Sequence, residues 1–173
     1  MNHYVLSLIV NNEINVISRV SGLLARRGYH VSCLSMREAE DPSLSRMTFV
    51  LEGDEHTLDQ AKKQLCKLVD VIAVVEMKIQ TSIRRELALV KVKAGPTDRV
   101  FIGETAKFFR AKIVDVAEET LIVEITGDDG KISAFINLMK PYGIVEVVRT
   151  GLAALERGNQ GSSCYKEVYE KVQ

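Results

Sequence analysis

Two stretches of this chain follow one pattern. LEGDEHTLDQAKKQLCKLVDVIAVV begins at Leu51 and EITGDDGKISAFINLMKPYGIVEVV begins at Glu124. Each reads as a strand, a Gly-Asp pair, a helix and a strand ending in Val-Val. Gly53-Asp54 matches Gly127-Asp128, and Val74-Val75 matches Val147-Val148. The spacing is too long for a solenoid, so the chain is read as two related domains rather than an array.

The elements in front of each stretch complete the same order. Tyr4 to Val10 is an apolar, β-branched run that reads as a buried strand. Val16, Ile17, Val20, Leu23 and Leu24 then recur at helical spacing. Asn12 or Asn15 can cap the start of that helix, because a short amide accepts from open backbone N–H groups. Arg26 and Arg27 sit at its negative end, and Gly28 follows where a left-handed residue often ends a helix. Val31 to Met36 alternates and is β-like. Asp41-Pro42 marks a turn, and Arg46 to Glu52 is a strand. Asp54 or Thr57 caps a helix that carries Leu58, Ala61, Leu65 and Leu68 on one side. Asp70 to Met77 supplies a fourth strand.

Gln80 to Arg84 is a short polar stretch, and the order then restarts. Glu86 to Lys93 is a strand, Gly95-Pro96 a turn, and Thr97 to Phe109 a helix whose apolar face is read as Phe101, Thr105 and Phe108. Lys112 to Ala117 and Leu121 to Thr126 are strands joined at Glu118-Glu119. Ile132, Phe135, Ile136 and Met139 face one side of the last helix, which Pro141 ends, and Ile144 to Val148 closes the domain. The fold class is α+β: two βαββαβ domains, each an antiparallel sheet with its helices on one face. The domains are 1–79 and 84–158. Residues 159–173 form a tail in which Tyr165, Val168, Tyr169 and Val172 have the spacing of a short helix, marginal unless docked. A lone sheet has open edges, and Val31 to Met36 is expected to be covered by pairing with a second copy.

Composition narrows the function. Lys and Arg number 23 against 23 Asp and Glu, with no basic tract, so no nucleic-acid partner is expected. No apolar run spans a bilayer, and Met1 to His3 lead into a strand with no signal or transit peptide. Three cysteines without CxxC spacing point to reduced thiols in a cytoplasm, with Cys33 and Cys66 as core fillers. His3, His30 and His56 lack metal-ligand spacing. No phosphate cradle or nucleophile elbow is present. The chain is therefore read as a binding or regulatory protein before an enzyme. The Asn-rich loop before the first helix could hold the carboxylate of a small ligand, although an ordinary strand–helix turn is the commoner account of such a stretch.

Several segments carry a resemblance: NNEINVISRVSGLLARRGYHV, DPSLSRMT, KQLCKLVDV, RELALVKV, FRAKIVDV and IVEVVRTGLAALERG. They resemble the regulatory, or small, subunits of acetolactate synthase. The resemblance implies an N-terminal ACT domain and a C-terminal domain, both ferredoxin-like. It implies a homodimer and a complex with a separate large, catalytic subunit of acetolactate synthase in branched-chain amino-acid synthesis. Thiamine diphosphate, Mg²⁺ and FAD would belong to that subunit and none to this chain. It further implies a branched-chain effector, usually valine, bound between two ACT domains. The matching positions are Asn12, Glu13, Ile14, Asn15, Val16 and Ile17 of the loop and helix start, with His30 and Val31. The family has glycine where this chain has Asn15, and asparagine where it has His30, so weakened or lost valine feedback is expected. The alternative is a free-standing ACT-type amino-acid sensor acting on another enzyme.

Overall fold

The structure, a computed structural model, describes residues 2–158. The expected tail 159–173 and its helix lie outside the described residues. The chain divides into two units. One contains the residues up to Arg84 together with those from Gly151. The other is Arg85–Thr150.

The first unit is built from β1 (Asn2–Asn11), α1 (Val16–Arg26), β2 (His30–Glu38), β3 (Leu44–Gly53), α2 (Glu55–Leu65) and β4 (Val71–Glu76). Its antiparallel sheet has the order β2-β3-β1-β4, so β2 and β4 are the outer strands. Leu6, Leu8 and Val10 of β1 pack with Val16, Val20 and Leu24 of α1 and Leu58, Ala61 and Leu65 of α2. The α1 helix ends as its sequence indicates, with Gly28 at φ 69° and the Tyr29 N–H donating to the Leu24 carbonyl.

The second unit repeats the order with β5 (Ser82–Lys93), α3 (Asp98–Phe108), β6 (Lys112–Val116), β7 (Thr120–Gly127), α4 (Asp129–Met139), a 3₁₀ turn (Lys140–Tyr142) and β8 (Ile144–Arg149). Its strands run β6-β7-β5-β8. Val90, Val92, Val123 and Ile125 pack against Ile102, Ala106, Ile132, Phe135 and Met139. The rings of Phe109 and Phe135 meet edge to face at 5.4 Å.

The Gly-Asp pairs do the same work twice. Asp54 accepts from the Thr57 N–H at 2.7 Å, and Asp128 from the Lys131 N–H at 2.8 Å, each capping the helix that follows. The preceding glycine leaves room for that turn. A Cβ on Gly53 would come within 2.8 Å of the Thr57 Cβ.

Three expectations need correction. The buried face of α3 is Ile102 and Ala106, while Phe101 and Phe108 are 63% and 85% exposed. Aromatic side chains mark a helix face by size, but here it is Ile102 and Ala106 that pack into the core of the second unit. Cys66 is exposed and fills no core, whereas Cys33 is half-buried and packs against the cluster of Val5, Ile9 and Leu44 as expected. Cys66 follows Leu65 at the end of α2, about 100° around the helix from the buried stripe. Finally, no side chain caps α1: neither Asn12 nor Asn15 does so.

One element was not legible. Residues 5–10 of β1 are buried without a break, whereas a sheet with one wet face would alternate. The face away from the helices carries Val5 and Ile9, and it is covered. Residues 151–158, which the sequence assigns to the second domain, return to the first unit and form the short strand β9 (Ala153–Glu156). Leu152 and Ala154 are buried there with Val5, Ile9, Leu44 and Met77.

Candidate functional site

The loop between β1 and α1 is held by the turn between β2 and β3. The Asn12 backbone N–H donates to the Ser43 carbonyl at 2.8 Å. Its side-chain amide donates to the Pro42 carbonyl at 2.9 Å, and its Oδ1 accepts from the Ser45 hydroxyl at 2.9 Å. The turn is itself fixed by Asp41, whose Oδ1 accepts from the Ser43 N–H and hydroxyl at 2.8 and 2.7 Å. Those two bonds, the hydroxyl first, hold the Asp41 carboxyl below the ordinary aspartate value. The segment DPSLS is thus the cradle of Asn12. On the other side, the Asn11 N–H donates to the Asp70 carbonyl, and Arg19 of α1 reaches the buried Asp70 carboxylate at 2.6 Å. Asp41, Ser43, Ser45, Asp70 and Arg19 were not singled out from sequence. The Asp-Pro turn and the segment DPSLSRMT were the available signals for Asp41, Ser43 and Ser45, and Arg19 and Asp70 had none.

The rest of the loop is open. Ile14 is 97% exposed, Glu13 and Asn15 are exposed, Ile17 is 46% exposed and Val16 is buried. Asn15 sits at φ −98° and ψ 3°, a conformation any L-residue can adopt. The glycine expected at this position is therefore not required for its φ, and what Asn15 adds is side-chain bulk. With no side chain bonded to its first turn, α1 directs backbone N–H groups and the positive end of its dipole toward this loop.

His30 and Val31 lie elsewhere. His30 starts β2 opposite Glu52, and Glu52 is also opposite His3. The His30 Nδ1 is 3.0 Å from the Glu52 carboxylate and that of His3 is 3.8 Å from it, while the His30 side chain is 72% exposed. Val31 packs against the helix-side core. Asn11 is opposite Leu44, and Glu38 at the far end of β2 is opposite Ser45. The Asn12 loop and His30 are thus separated by the length of β2, about 26 Å at ~3.3 Å per residue. The structure places Asn12 to Ile17 at one end of the sheet, with Val16 turned into the core, and leaves His30 and Val31 at the opposite end.

Other polar clusters read as structural. In the second unit Arg149 joins the buried Glu86 and reaches Asp129 at 2.8 Å. Burial alone would lower the Arg149 guanidinium, but the bonds to Glu86 and Asp129 outweigh it and raise its pKa. An open depression beside α2 is lined by Tyr4, His56, Lys62 and Glu76, with Lys62 and Glu76 paired at 3.2 Å. Among the described residues no group of three or more His, Cys, Asp or Glu side chains could hold a metal ion. No helix among them is long and apolar enough to cross a membrane.

Comparison with known proteins covers both units. Residues 6–73 match the family model of the acetohydroxyacid synthase small subunit-like ACT domain, and residues 85–158 match that of the small subunit of acetolactate synthase. A probable acetolactate synthase small subunit of Archaeoglobus fulgidus is 45% identical over 91% of this chain and 98% of that protein. The acetolactate synthase small subunit of Mycolicibacterium smegmatis is 40% identical over 94% of this chain and 96% of its own length. The crystal structure of the small subunit from Thermotoga maritima superposes with a TM-score of 0.85 at 38% identity, covering 92% of this chain and 99% of that one.

Proposed function

Since the chain belongs to the acetolactate synthase small-subunit family, we propose that it is a regulatory, non-catalytic subunit. It binds a separate thiamine-diphosphate-dependent catalytic subunit, which also carries Mg²⁺ and FAD, and raises its turnover in branched-chain amino-acid synthesis. The observation that carries this reading is that the likeness runs through both units and nearly the full length of the relatives. The physical basis would be selection of an active-site arrangement that the free catalytic subunit populates only in part. Steady-state assay of the catalytic subunit with and without this chain tests it. Turnover should rise on addition, with no activity from this chain alone. An unchanged rate at saturating chain would refute the activator reading.

The effector site, on this reading, is built from two copies. β2 is an outer strand, so its free edge is available for antiparallel pairing about a two-fold axis. Pairing centred near Leu34 sets His30 of one copy opposite Glu38 of the other. Glu38 is opposite Ser45, which holds Asn12. The gap within one chain, about 26 Å at ~3.3 Å per residue, is then closed by the second copy. His30 and Val31 of one copy face the Asn12–Ile17 loop of the other, and a small amino acid would lie between them.

A further inference from the structure

We infer that the segment Gly151–Glu156 holds β2 in the position required for pairing with a second copy, and that Ser35 and Gly151 are positioning residues of that edge. The inference rests on the edge-pairing reading above and adds the element that supports the edge.

β2 is weakly anchored by its own contacts. It has one ladder, to β3, and that ladder is interrupted by a bulge between Val31 and Cys33. None of its nine residues is fully buried: Val31 and Met36 reach the helix-side core and Cys33 the opposite one only in part, and Leu34 is 38% exposed. A strand held this lightly can shift or fray at little cost, and a shifted edge cannot present a fixed ladder to a partner.

The second support comes from the opposite face. The bulge sets Cys33 and Ser35 on the side away from the helices, where Leu152 lies. The Leu152 N–H donates to the Cys33 Sγ at 3.3 Å, and the Ser35 hydroxyl donates to the Leu152 carbonyl at 3.0 Å. One residue of the returning segment is thus gripped at both backbone groups by two side chains of β2. Leu152 and Ala154 are anchored in turn by burial against Val5, Ile9, Leu44 and Met77, and the Arg157 N–H closes on the Thr81 carbonyl at 2.7 Å. The approach is close enough to specify a glycine: a Cβ at Gly151 would lie 2.4 Å from the Ser35 Cβ and 3.2 Å from its Cα. Neither atom belongs to a flexible side-chain end, so a substitution there must displace the segment or β2.

A segment that only closed a core would change stability when loosened and leave association of the folded chain alone. The test therefore reads association. The full chain and its G151A, S35A and S35G/G151A variants are compared by sedimentation over a dilution series, with hydrogen exchange at the Leu152 amide and circular dichroism as controls for release and folding. In G151A the Leu152 amide should lose protection and the dimer dissociation constant should rise at least about tenfold. S35A, which removes only the hydroxyl that holds the Leu152 carbonyl, should show a smaller rise, and S35G/G151A, which removes the obstructing Cβ together with that hydroxyl, should fall back to about the S35A level. Lost protection with an unchanged constant would overturn the inference, as would retained protection in G151A. If G151A fails to fold, S35A decides by the same pair of readings. A native chain that stays monomeric at every concentration refutes the edge-pairing reading itself, and the inference falls with it.

Discussion

At the scale of single residues, Asn12 joins three hydrogen bonds with the turn at residues 42–45. Its family match suggests a ligand contact, and its geometry makes it first the clamp of the loop. Asn12→Ala would strip the buried Ser45 hydroxyl of its acceptor, and an unpaired buried polar group costs about 1–3 kcal/mol. Chemical denaturation of the variant should show a loss in that range. The same turn should weaken in acid. Asp41 is held below the ordinary aspartate value by Ser43, and Asp54 by Thr57. Each then binds a proton more readily in the unfolded chain than in the folded one. Their contributions are complete above the unfolded value of about 3.9 and are lost as pH falls through the lower folded values. Amide exchange at Ser43 and Thr57 should therefore accelerate below that pH before the chain unfolds globally. Neutral-pH protection lost in D41N but kept in acid by the native chain would contradict this.

At the scale of elements, the α4 cap offers a clean test because Asp128 is exposed and its bond to the Lys131 N–H is local. Asp128→Ala should cost about 1 kcal/mol, read as a shift in the urea midpoint at unchanged slope. The capping pairs were legible because Gly-Asp before an apolar stripe has a local meaning, and both bonds span three residues. The end of α1 at Gly28 was legible for the same reason. The α3 face was not. Phe101 and Phe108 satisfy a helical period as well as Ile102 and Ala106 do, and only tertiary packing decides between them. β9 was illegible for a different reason. GLAALE carries no strand alternation, and its bonds to Cys33 and Ser35 join residues more than a hundred positions apart. The unbroken burial of β1 hinted that something covers the second face, but not what does so.

At the scale of the whole molecule, the sequence groups the Asn12 loop with His30 and Val31 as one candidate site, and the distance between them was not legible. Residues 12–17 and 30–31 are close in sequence, and a helix followed by a reversing strand carries them to opposite ends of one sheet. A pocket that needs both ends needs two chains, so its affinity must depend on association. This sharpens the expectation for valine. The effector brings a carboxylate and an ammonium that must both be paired once desolvated. Asn15 adds bulk beside the α1 N-terminus without backbone strain. His30 replaces an amide, and its Nδ1 already faces Glu52, which leaves only one ring nitrogen for a ligand. Losing one charge-assisted hydrogen bond costs about 1.5–3 kcal/mol, or roughly ten- to a hundredfold in affinity. Titration calorimetry should show weak or no valine binding by the native chain. Asn15→Gly/His30→Asn should gain at least about tenfold. That gain should fade on dilution below the dimer dissociation constant, because in the proposed two-copy pocket neither half is complete in one copy. Tight binding by the native chain, unchanged in the double variant, would show that these two positions do not control the site. Binding that survives dilution to monomers would show that the pocket lies within a single chain.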